Sequence, residues 1–121
     1  MQYLLLIYHS EAEGAKMSPA DQSAMYGEYF KFTQEIRDSG NYLGGNPLKP
    51  TNTATTVRVR NAKRVVTDGP FAETKEQLGG YYLIEANDLD QAISIAARIP
   101  GARFGSIEVR PILPTTQAVK A

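Results

Sequence analysis

The densest grouping of ionisable and turn-forming residues in this 121-residue chain is Asp68-Gly69-Pro70-Phe71-Ala72-Glu73-Thr74-Lys75-Glu76, followed by Gly79-Gly80. Asp68 suits acid/base chemistry. It equally suits a turn, because Asp bonds its own downstream backbone, Gly accepts unusual dihedrals and Pro fixes its own. The turn role is the commoner one for such a carboxylate. Glu73 and Glu76 stand three apart, so a short helix over residues 71–77 would place both on one face, away from Lys75. Paired carboxylates divide acid and base roles when their surroundings separate their pKa values; otherwise they are a solvated face. Gly79-Gly80 either lets a backbone or ligand approach closely or simply stops that helix before a strand.

The remaining candidates are scattered. His9 sits where an apolar run opens into a loop, the kind of edge at which a pocket forms. Tyr29, Tyr81 and Tyr82, with Tyr8, either line a cleft with their hydroxyl tips or fill a core. Arg58 and Arg60 either hold an anionic ligand or keep an edge strand from aggregating. The absence of cysteine removes thiol nucleophiles, disulfides and thiolate metal sites, and fits a reducing compartment. One histidine is too few for a His-rich metal centre, and no P-loop, dinucleotide fingerprint, zinc spacing or nucleophile elbow is present. The expectation is therefore no metal and no cofactor.

The elements that position these groups follow from periodicity. Residues 2–8 are apolar throughout, as in a strand buried on both faces. Residues 10–17 have no clear period and read as a loop. Ser18-Pro19-Ala20-Asp21 starts a helix, with Ser18 as cap and Pro19 in the first turn. Met25, Tyr29, Phe32 and Ile36 mark its stripe, Tyr26, Phe30 and Thr33 lie beside it, and Gly40 ends it. A short strand over 41–48 is stopped by Pro47 and Pro50. Residues 54–67 alternate around an Asn61-Ala62-Lys63 turn, a hairpin with a mostly polar face. Residues 81–86 form a second strand apolar at successive positions. Asp88 caps another helix, with Leu89, Ile93 and Ala96 expected inward and Ala92, Ile95 and Ile99 adjacent, broken at Pro100-Gly101. Residues 104–110 make a last, alternating strand, and 114–121 a flexible tail.

This order is the split βαβ arrangement of ferredoxin-like α+β folds, βαββαβ with an added β-hairpin, in one domain over 1–113. The two runs apolar on both faces become the central strands. Two helices cover only one sheet face, so a homodimer packed sheet against sheet is expected to bury the other. Thirteen basic and thirteen acidic residues cancel, which argues against direct nucleic-acid or membrane-surface binding. The first apolar run is far too short to span a bilayer and has no basic segment before it, so a cytoplasmic location is expected.

The 67–76 segment, Leu78-Gly79-Gly80-Tyr81-Tyr82-Leu83-Ile84-Glu85, the Asp88-Leu89-Asp90-Gln91-Ala92 helix start and Ile107-Glu108-Val109-Arg110-Pro111 together resemble the DGPF-type branch of the YCII-related proteins over residues 3–114. The resemblance implies a dimeric α+β barrel of two ferredoxin-like units. It also implies relatives of two kinds: enzyme-like members with a His and Asp pair in a dimer cleft or acting on chlorinated muconolactones, and DGPF-type members that accompany extracytoplasmic-function sigma factors. The first long helix here has no histidine, so the pair does not carry over; Tyr29 stands near its place and Asp68 remains. Two functions are therefore expected. The favoured one is a module that binds a small-molecule ligand or a protein partner such as a sigma factor. The other is a cofactor-independent acid/base enzyme, isomerase- or lyase-like, with Asp68 as acid/base and His9, Tyr29, Arg58, Glu73, Tyr81 and Tyr82 around the ligand.

Overall fold

The structure, a computed structural model, describes residues 1–115. Four strands form one antiparallel sheet: β1 (Gln2–His9), β2 (Tyr42–Pro47), a long strand Gln77–Glu85 and a last strand Ser106–Pro111. Between β2 and the long strand lies a separate two-stranded ribbon, β3 (Thr55–Arg60) and β4 (Lys63–Asp68), which makes Gln77–Glu85 β5 and Ser106–Pro111 β6. The sheet order is β2-β5-β1-β6, so the two strands apolar on both faces are indeed central, as a ferredoxin-like sheet requires. The helices are α1 (Glu11–Gly14), α2 (Pro19–Asp38) and α3 (Leu89–Ala97).

Alternation along the central strands divides the sheet into two faces. Tyr3, Leu5 and Ile7 of β1 and Tyr82 and Ile84 of β5 are buried against Phe32 and Ile36 of α2 and Ala92, Ile95 and Ala96 of α3. The intervening Leu4, Leu6, Tyr8, Tyr81 and Leu83 are only half-buried, on a face that neither long helix covers. Both long helices start as expected. The Ser18 and Asp88 side chains accept hydrogen bonds from the Asp21 and Gln91 amides at 3.1 and 2.8 Å.

Several local expectations are corrected. Residues 11–14 form a helical turn rather than a loop, because Ser10 accepts from the Glu13 amide at 3.2 Å as a cap. Residues 71–76 form no helix. The Thr74 hydroxyl donates to the Glu76 carbonyl and the Gln77 amide to the Thr74 carbonyl, side-chain bonds that compete with helical ones. Gln77 is already in β5, paired with His9, so Gly79-Gly80 lies inside a strand and stops no helix. The apolar stripe of α3 is also turned: Ala92, Ile95 and Ala96 face the core, while Leu89 and Ile93 are half exposed. On α2, Tyr26 and Phe30 point to solvent. From residue 116 on, the expected tail lies outside the described residues.

Candidate functional site

Three segments converge beyond the end of β1: the α1 turn, the 3-10 turn Thr51–Thr53, and the run from Pro70 to the start of β5. They border an open groove of about 550 Å³, lined on one side by Ser10, Glu11 and Thr51 and on the other by Pro70, Glu73, Thr74, Lys75 and Gln77. Small-molecule sites run from roughly 300 to 1,000 Å³.

Glu11 is the best-anchored polar group in it. Its Oε1 accepts from the Thr51 hydroxyl at 2.6 Å and its Oε2 from the Thr51 amide at 2.9 Å. Its own amide donates to the Gln77 side-chain oxygen at 2.9 Å, so one residue ties all three segments together. The Thr51 hydroxyl and then the Thr51 amide hold the Glu11 carboxyl below the usual carboxylate range; burial opposes them and nearby His9 adds a small pull in the same direction. Glu11 is thus an anion at neutral pH. The same end of the sheet is braced by Ser106 of β6, whose hydroxyl donates to Glu76 at 2.8 Å.

Because the folded pKa is depressed, the folded state binds fewer protons than the unfolded one as pH falls below the ordinary value of 4.5. The stabilisation from Glu11 is therefore complete above about pH 4.5 and lost as pH drops through the depressed value. Urea unfolding of the natural protein and of Glu11→Gln should differ most at neutral pH, with the gap narrowing in acid. A constant gap would contradict the charge-assisted bond.

Of the sequence candidates, the structure brings only Glu73 to the groove wall. Asp68 closes β4, exposed, two residues before that wall begins at Pro70. Its turn is held from outside the carboxylate: the Gly69 amide donates to the Ala54 carbonyl at 2.7 Å and the Thr56 hydroxyl to the Gly69 carbonyl at 2.8 Å, with Gly69 at φ +93°. His9 ends β1 next to Ser10, its ring so close over Gly79 that a Cβ there would lie 2.2 Å from Nε2. Glycine in β5 therefore makes room for the imidazole.

The others lie away from this groove. Tyr29 packs on the core, its hydroxyl accepting from the Gly101 amide at 3.1 Å, and burial pushes its phenol up. Tyr82 is a core residue, 2.7 Å from the Thr33 hydroxyl and edge-on to Phe32. Tyr81 is on the uncovered sheet face, accepting from Asn46 at 3.0 Å. Arg58 lies on the ribbon opposite Val65. Among the described residues no three His, Asp or Glu side chains converge as a metal would need.

Glu11, Thr51 and Gln77 were missed. Ser10-Glu11-Ala12-Glu13 carries the S-x-x-E spacing of a capping box, and that signal places Glu11 in a first helical turn beside His9. Nothing local marks Thr51 or Gln77 as its partners.

A four-stranded antiparallel sheet in ferredoxin-like order, with two helices on one face and a loop-walled groove at one end, defines a ferredoxin-like α+β domain. The chain belongs to the YCII-related domain family, whose model matches residues 1–116. It is 35% identical over 114 residues to an uncharacterised protein of Rhizobium meliloti (strain 1021), an alignment covering 93% of this chain and 92% of that one. In fold it is similar to 5-chloro-2-hydroxyhydroquinone dehydrochlorinase from Burkholderia phenoliruptrix AC1100, solved in complex with 2,5-dihydroxybenzoquinone. That match has a TM-score of 0.55 and 14% identity, over 93% of this chain and 94% of the other. No helix of the described residues is long and apolar enough to cross a membrane.

Proposed function

We propose that this YCII-related protein is a homodimeric module that binds a small polar molecule in the groove between α1 and the Pro70 wall. The observation that carries this reading is the Glu11 carboxylate, held ionised by two hydrogen bonds from Thr51 at the edge of a space large enough for a metabolite. A group spent only on joining loops needs no such volume beside it. The homodimer, and with it the dimeric barrel, is supported by the half-buried Leu4, Leu6, Tyr8 and Leu83 on a face without a helix.

A second reading rests on His9, which ends β1 next to Ser10 of the groove wall, and on the fold's likeness to a dehydrochlorinase. In it the chain is a cofactor-independent acid/base enzyme, isomerase- or lyase-like, with Asp68 as acid/base. Scaffolds of this kind host many activities, so the likeness suggests a reaction class and no more.

A thermal-shift screen against a metabolite set, run on the natural protein, Asp68→Asn and Glu73→Gln, tests both. The binding reading expects a stabilising ligand whose shift falls with Glu73→Gln and persists in Asp68→Asn. Turnover of that ligand by the natural protein, lost in Asp68→Asn, would replace it with the enzymatic reading. A screen with no hit would move the function to a protein partner such as a sigma factor.

A further inference from the structure

The β3–β4 ribbon stands apart from the rest of the molecule in position, exposure and charge. It pairs with neither edge of the four-stranded sheet. The register Val57 opposite Val66 and Val59 opposite Arg64 puts three valines on one face, and they are 60%, 55% and 63% exposed for Val57, Val66 and Val59. Exposed apolar patches on a folded domain are the places where partners pack. All six residues of β4 are exposed.

Charge gives the second observation. Residues 55–67 hold four of the thirteen basic residues, Arg58, Arg60, Lys63 and Arg64, and none of the thirteen acidic ones. With Asp68, which closes β4, the ribbon therefore carries +3 and the remainder of the chain −3, although the whole is neutral. The ion pairs among the described residues involve none of the four.

From this we infer that the ribbon is an arm that clasps a second copy of the chain, its valine face, which also carries Arg64, on the partner's apolar surface, and its opposite face, with Arg58, Arg60 and Lys63, turned to the partner's acidic body. Ribbon against ribbon repels, whereas ribbon against body is the pairing in which the charge of both copies is satisfied, and it adds to the apolar sheet-to-sheet contact. Two-fold symmetry makes the contact reciprocal, so each dimer has two such clasps. The arm's second strand runs straight into the Pro70 wall, so its docking also holds one side of the ligand groove in place. The inference rests on the homodimer proposed above.

Sedimentation across a concentration series separates the two ideas. The natural protein is expected to be dimeric at micromolar concentration, with a Kd that rises with salt. A Val57→Thr, Val59→Thr, Val66→Thr variant, checked for unchanged circular dichroism, should dimerise at least tenfold more weakly. Arg60→Glu with Arg64→Glu should do the same and lose most of the salt dependence. A natural dimer whose Kd stays within twofold in both variants would overturn the arm and leave the sheet-to-sheet dimer standing. A natural monomer would overturn both, and if it bound a DNA duplex through the same arginines, the arm would belong to a polyanion instead.

Discussion

Leu5→Ala will unfold at a temperature about 10 °C or more below the natural protein. Leu5 is fully buried at the centre of β1, paired with Tyr82 on one side and Val109 on the other, in the cluster that includes Phe32 and Ile36. Truncating such a leucine removes its transfer free energy and leaves a cavity that flanking strands cannot collapse into, typically costing about 2–5 kcal/mol. In a domain of this size each kcal/mol is worth roughly 4 °C. Leu43→Ala, at a position 46% exposed, is the matched control and should move the midpoint little. The pair should be compared at one protein concentration, since dimerisation itself would raise the midpoint. A Leu5→Ala loss near that of the control would mean that β1 is not the central strand.

Gly105→Ala is the second large effect, and it reaches the site. A Cβ on Gly105 would lie 2.0 Å from the carbonyl oxygen of Tyr8 and 3.1 Å from the Cα of His9. The obstacle is backbone, so no rotamer relieves it. β6 must move off the end of β1, against the Ser106 to Tyr8 pairing and the Ser106 hydrogen bond to Glu76. Overpacking of this kind costs roughly 1–3 kcal/mol, more where the main chain is displaced. Because the displacement falls beside His9, Ser10 and Glu11, any ligand found by thermal shift should also bind more weakly. A substitution that costs stability and leaves ligand affinity unchanged would place the binding site elsewhere.

Much of the fold was legible because it is written in local patterns. Uninterrupted apolar runs at 2–8 and 81–86 marked the central strands, since only a strand covered on both sides has no polar face to present. Ser18 and Asp88 announced the two long helices by capping chemistry that acts over three residues. The 71–76 segment misled for the same reason in reverse. Its residue types permit a helix, but Gln77 is drawn into β5 by pairing with a residue 68 positions away, and its side chain reaches Thr74 and Glu11 from there.

The candidate site divides along the same line. Sequence alone pointed to Asp68 and Glu73 because a turn motif and paired acids are visible at short range. It determined the family, the strand and helix order and the apolar seams of the sheet. The tertiary structure decided which groups share a groove: it put Glu11 against Thr51, His9 over Gly79, and Tyr29 and Tyr82 into the core. These are contacts between segments 40 to 72 residues apart, set by strand pairing and by how far each loop reaches, and no local pattern encodes them. The segment Asp68 to Glu76 thus contributes a groove wall, while the anchored charge that faces it comes from the far end of β1.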